Sequence, residues 1–114
     1  MTDCIFCKII QGEIPAQIVY QDEKIIAFND RHPRAPIHQL IVPKKHIATL
    51  NDLTESETLL VGNMLQTARL LAAKADIAQS GYRTVFNCNK GGGQEVFHLH
   101  LHLLGGRTLN WPPG

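Results

Sequence analysis

The fold turns on "VFHLHLHLL", residues 96–104, which is followed by Gly105 and Gly106. Three of the chain's six histidines stand there, at His98, His100 and His102, interleaved with Leu99, Leu101 and Leu103. Side chains on a β-strand alternate between the two faces of its sheet. A strand over 96–104 therefore turns leucines to one side and imidazoles to the other. The leucines require a core beneath them, and the imidazoles require a use.

Working outward, "CIFCKIIQG" (4–12) predicts a short helix with Ile5, Phe6 and Ile9 on one face and Gly12 at its end. "AQIVYQDEKIIAFND" (16–30) reads as a hairpin around a polar turn at 21–23. Pro33 and Pro36 make 32–36 a loop that carries His32 on the surface, and "HQLIVP" (38–43) is a strand. One long helix is expected over about 55–78. Thr54 and Glu57 form its capping box, and Leu60, Met64, Ala68, Leu71 and Ala75 form its buried stripe. Gly81 breaks the chain before a strand over 82–89, in which Cys88 is expected as a buried thiol facing away from Asn87. Residues 90–95 are a glycine-rich loop, and 105–114 an irregular tail. Strands outnumber helices and several links are hairpin-length, so the class is α+β with an antiparallel sheet.

The 114 residues fit one domain, 44% apolar and 18% charged, with a formal net charge of +1. Lys44-Lys45 is a lone basic pair and aromatics are few, which disfavours a nucleic-acid or membrane-surface role. No window approaches the roughly 20 apolar residues of a membrane span. The N-terminus does not read as a signal peptide, and three cysteines form no disulfide framework, so the cytoplasm is the expected compartment.

Two chemistries suit alternating histidines. On a straight strand, residues two apart are about 6.6 Å apart and can share an ion, whereas residues four apart are about 13 Å apart and cannot. The three therefore do not form one metal site. The alternative is attack on phosphorus, since imidazole is a good nucleophile that titrates near neutrality. The glycines of "NKGGGQE" (89–95) and Gly105-Gly106 then let backbone come close to an anion.

With these residues in place, the chain resembles the histidine triad superfamily of nucleotide hydrolases and transferases. "HLHLHLL" fits its His-x-His-x-His-x-x signature. "FCKIIQGEIPAQIVYQDEKIIAFND", "RAPIHQLIVPKKHI", "GYRTVFN", "GGQEVFHLHLHLLGGR" and "NWPPG" extend the likeness over nearly the whole chain, and toward the Hint branch of nucleotide-binding members. The resemblance implies a mainly five-stranded antiparallel sheet with one long and one short helix. It implies a homodimer whose sheets join, and a tail (105–114) near the partner. The implied activity is hydrolysis of purine nucleoside 5′-phosphoramidates through a nucleotidyl-histidine.

By matched position, His100 is the nucleophile, His102 binds the phosphate, and His38 completes the chain of hydrogen bonds behind them. His98 completes the catalytic set unless a metal holds it. Asp30 accepts the ribose hydroxyls, beside Asn29, and Asn87 meets the ribose–phosphate edge. Ile5, Phe6, Ile9 and Phe28 enclose the purine, and Gly93, Glu95 and Val96 flank the phosphate. Trp111 reaches the partner's site on the tail. Three positions depart from familiar members: Glu95 for serine, Ile37 for threonine, and Arg31 for an apolar residue beside Asp30.

Cys4-x-x-Cys7 is read as free thiols, a redox pair or half a metal site. The redox reading needs a preceding strand and a βαβ setting that the pattern lacks. As in some bacterial-type relatives with "KKHI", the resemblance implies structural zinc on Cys4, Cys7, His46 and His98. Three functions therefore stand in order: phosphoramidase, purine-nucleotide scaffold with incidental hydrolysis, and zinc storage.

Overall fold

The structure, a computed structural model, describes residues 3–114. Its centre is β3 (Ile37–Pro43), in which every residue after the first is buried. The other strands are β1 (Ile18–Gln21), β2 (Ile25–Asn29), β4 (Tyr82–Phe86) and β5 (Leu101–Gly105). They form one five-stranded sheet in the order β1-β2-β3-β5-β4, antiparallel at every pairing. The α+β sheet expected from the sequence is the sheet observed.

Strand parity divides the core in two. Ile25, Ala27, Ile41, Leu101 and Leu103 face one way, joined by Leu99, against Met64, Ala68 and Leu71 of α2 (Thr58–Lys74). Ile26, Phe28, Leu40 and Val42 face the other way, against Phe6 and Ile9 of α1 (Ile5–Ile10). The triad leucines thus lie under the long helix as expected, and the stripe read on α2 is its packing face.

Helix α2 is shorter than the expected 55–78 at both ends. The Thr54–Glu57 capping box is present, but it closes a single 3-10 turn (Glu55–Glu57) that feeds the helix. The Thr54 amide donates to Glu57 Oε1 at 2.7 Å, and Lys45 Nζ meets Oε2 at 2.8 Å. The Lys45 ammonium above all, then the Thr54 amide and the Ser56 and Thr54 hydroxyls, pull the Glu57 carboxyl down to about 2. The helix stops after Lys74 because Asp76 turns left-handed at φ 63°, before Gly81 at φ 112°. Similarly β4 ends at Phe86, so Cys88 lies past the strand and is half-buried instead of buried.

The largest departure is the stretch that decides the fold. Its ladder begins at Leu101, so Val96–His100 are not strand and His98 and His100 precede the sheet. The leucines keep their alternation, but His98 is free to turn away from the other two. Gly105 and Gly106 also serve packing. A Cβ on Gly105 would meet Ile77 Cδ1 at 2.5 Å, and one on Gly106 (φ +92°) would meet Pro36 Cβ at 2.9 Å. Among the described residues no helix is long and apolar enough to cross a membrane.

Candidate active site

On the α1 side of the sheet lies a cavity of about 790 Å³. His100, His102, Asp30, Asn29, Phe28, Ile5, Phe6, Ile9, Gly93, Glu95 and Val96 all line it, as the sequence assigned. Gly93 reaches it through a left-handed turn, φ +87°. Sequence reasoning missed Pro15, Ala16, Gln17, Pro33 and Leu40. Parity on β3 was the available signal for Leu40, which shares the face of His38 and Val42. His32 and Arg31, both exposed, sit at the mouth. Asn87 and Trp111 do not border this cavity. Trp111 is 81% exposed, with the Arg83 guanidinium 5.8 Å above its ring. Arg83 also donates to the Asn110 carbonyl at 2.9 Å, which holds the tail along β4.

The backbone fixes each histidine's proton. The Arg34 amide donates to His38 Nδ1 at 2.9 Å, so the proton of neutral His38 sits on Nε2. That Nε2 lies 2.9 Å from His102 Nδ1, which must then accept, leaving His102 with its proton on Nε2. His100 Nδ1–H donates to the His98 carbonyl at 2.7 Å, so the lone pair of His100 is on Nε2. His98 Nε2–H donates to the Pro43 carbonyl at 2.7 Å, which leaves its Nδ1 unprotonated. The result is a row of set tautomers: a nucleophilic nitrogen on His100 beside a donor on His102, both on residues that line the cavity.

Electrostatics keep these rings neutral. Burial, aided by His100 and His38, drives His102 down to about 4. Burial also lowers His100 and His38, against the opposing pull of Asp30. Asp30 Oδ2 lies 3.3 Å from His38 Nε2, while its Oδ1 accepts from the His32 amide at 2.8 Å. Among the described residues Asp30 makes this close contact with the neutral His38 ring, not with Arg31. Phe6 closes the base of the pocket, its ring edge-on to Phe28 at 5.4 Å and to His100 at 5.1 Å.

His98 belongs to a second group. Its Nδ1 lies 3.2 Å from Cys4 Sγ, 3.5 Å from Cys7 Sγ and 3.1 Å from His46 Nδ1. Cys7 Sγ is 3.3 Å from His46 Nδ1, and all four donor atoms lie within 4.8 Å of one another. A tetrahedral zinc with bonds of about 2.0 Å to nitrogen and 2.3 Å to sulfur needs donor spacings of about 3.3–3.8 Å. The spacings of 3.1–3.5 Å around His98 and His46 lie at or just below that figure, so small shifts seat the ion, and the Pro43 carbonyl already holds His98 in the ligating tautomer. The donor set of Asp30, His38 and His102 is also compact, but its lone pairs face protons within the set.

Comparison with known proteins agrees with this architecture. A family profile described as "Scavenger mRNA decapping enzyme C-term binding" matches residues 3–109. The purine nucleoside phosphoramidase of Escherichia coli K12 is 49% identical over 107 residues, 94% of this chain and 90% of that one. An uncharacterized HIT-like protein of Synechococcus elongatus is 52% identical over 112 residues, 98% and 97% of the two chains. The crystal structure of a HIT family hydrolase from Legionella pneumophila superposes with a TM-score of 0.97 at 57% identity, covering 98% of this chain and all of that one. A histidine triad protein from Clostridium difficile gives 0.93 at 45% identity, covering 96% of each chain. With its sheet and nearly all of its length matched in this way, the chain belongs to the histidine triad superfamily.

Proposed function

We propose that this protein is a purine nucleoside phosphoramidase acting through a nucleotidyl-histidine on His100, as a Hint-type member of its superfamily. The observation that carries the reading is the tautomer row: His100 presents a lone pair, and its neighbour His102 presents an N–H, on the wall of one apolar-floored cavity. The purine lies among Ile5, Phe6, Ile9 and Phe28, and Asp30, beside Asn29, receives the ribose hydroxyls. His102 Nε2–H and the backbone near Gly93, Glu95 and Val96 hold the phosphoryl oxygens. His100 Nε2 forms a bond to phosphorus as the P–N bond breaks, and the departing amine takes up a proton from solvent at the open mouth. Water then displaces His100, giving the nucleoside monophosphate and the free imidazole, with its proton returned to solvent. His38 keeps His102 in its donor tautomer and does not touch substrate.

The protein acts as a homodimer in this reading. Trp111 on the tail completes the partner's site. Structural zinc on Cys4, Cys7, His46 and His98 completes the proposal. It closes all four positions and supplies a cross-link between α1 and residue 98, not a reacting water. His98 then moves no proton in catalysis. Metal analysis of protein purified without chelator checks this, and protein that holds no zinc refutes it.

Turnover of adenosine and guanosine 5′-phosphoramidates by wild type and His100→Ala tests the chemistry. Wild type should release nucleotide and amine, with a nucleotide adduct on His100 trapped in rapid quench. The variant should lose at least about a thousandfold in kcat. Wild type that binds AMP without turning over either substrate overturns the reading in favour of a nucleotide-binding scaffold.

A further inference from the structure

The nucleophile stands on a stretch the sheet does not hold. Val96–His100 lie outside the β5 ladder, and the bond from the Leu99 amide to the Ile47 carbonyl, 2.6 Å, ties them to the segment that follows β3. Yet this stretch supplies the His98 carbonyl that receives the His100 Nδ1–H. The ring of His98 fixes that carbonyl: it is fully buried, bonded through Nε2 to Pro43, and set through Nδ1 among Cys4, Cys7 and His46. The same cluster holds the other side of the pocket. Cys4 caps α1 and Cys7 lies within it, on either side of Phe6, which packs edge-on against both His100 and His98. A six-residue helix does not persist on its own.

We propose that Cys4, Cys7, His46 and His98 are positioning residues for His100, and that ligation of zinc by them sets the nucleophile's orientation and the Phe6 wall together. Two cross-links converge on one imidazole: the His98 carbonyl fixes its Nδ1, and Phe6 fixes its ring plane. Catalytic competence thus follows metal occupancy, although the cluster borders no reacting atom. A misplacement of about 1 Å at a nucleophile costs on the order of a hundredfold in rate. The kinetic arm of the test rests on His100 being the nucleophile, whereas the spectroscopic arm does not.

The hydrogen-bonded Nδ1–H of His100 gives a downfield proton signal in 15N-edited NMR, assigned by its loss in His100→Ala. Stripping the metal from wild type with dipicolinate should broaden or remove this signal and lower kcat by about 10- to 100-fold, and added zinc should restore both. His46→Ala, which deletes the exposed ligand, should behave as stripped protein and resist rescue. His46→Cys, which keeps a donor, should hold metal and retain the signal. If stripped wild type unfolds, the His46→Ala and His46→Cys pair, compared at a temperature where both are folded by circular dichroism, carries the comparison. A persistent signal with unchanged kcat in folded protein shown to lack zinc overturns the proposal, as does failure to bind added zinc at all. Wild type that shows the zinc-dependent signal but no phosphoramidase turnover supports the positioning and refutes the assigned reaction.

Discussion

At His102, burial and two neighbouring imidazoles remove a positive charge that a solvent-exposed histidine would carry in mild acid. Its folded pKa of about 4 lies below the value near 6.5 for an unfolded chain, and His38 shifts in the same direction. Between those pH values the unfolded state binds more protons, so stability rises with pH across the window. The contribution is fully present above about 6.5 and is lost as pH falls toward 4. Tm should therefore drop steadily from pH 7 to pH 4.5, and His102→Asn should flatten that slope. Equal slopes in melts of wild type and variant would remove the buried imidazole as the cause. The sequence showed which residues meet here, through spacing and resemblance, but not where their protons sit. Those are set by the Arg34 amide and the His98 and Pro43 carbonyls, and every residue has such groups.

Among the elements, β5 and its exit show how far pattern reading reaches. Alternation correctly sent Leu99, Leu101 and Leu103 to the α2 core, because side-chain parity survives wherever the chain is extended. It could not find where the ladder begins, since that depends on which partner amides lie opposite. Nor could it tell a glycine needed for an anion from one needed for a neighbour. Gly106 combines φ +92° with the rigid Pro36 ring at 2.9 Å, whereas Gly105 faces the tip of the Ile77 side chain. Gly106→Ala should cost about 1–3 kcal/mol in denaturant unfolding, and more than Gly105→Ala. The reverse order would show that Ile77 is the less yielding neighbour. The Thr54–Glu57 box was fully legible, because its donors and acceptors are local to four residues.

At the scale of the whole molecule, β4 forms one edge of the sheet. Helix α2 packs over β3 and β5, leaving β4 at the rim of the sheet. Leu59 and Leu70, 75% and 53% exposed, stand three turns apart on one face of that helix. A second copy meeting at this rim would join the sheets, as the resemblance implied, and the exposed leucines test whether α2 takes part in that contact. Light scattering should give twice the 12.7 kDa chain mass, and Leu59→Glu with Leu70→Glu should shift it toward one chain. A single-chain mass for wild type would exclude the dimer and the tail's role in a partner's site.

The division of the core by the sheet has a consequence for how the protein opens. The α2 side is a large apolar cluster beneath a 17-residue helix, and the α1 side is a smaller one beneath six residues. Unequal layers on one sheet melt unequally: the thin layer can detach at a free energy well below that of global unfolding while the strands and α2 stay folded. The α1 layer is therefore the part most dependent on an added cross-link: with metal on Cys4, Cys7, His46 and His98 it should open only with the sheet, and without metal it should open first.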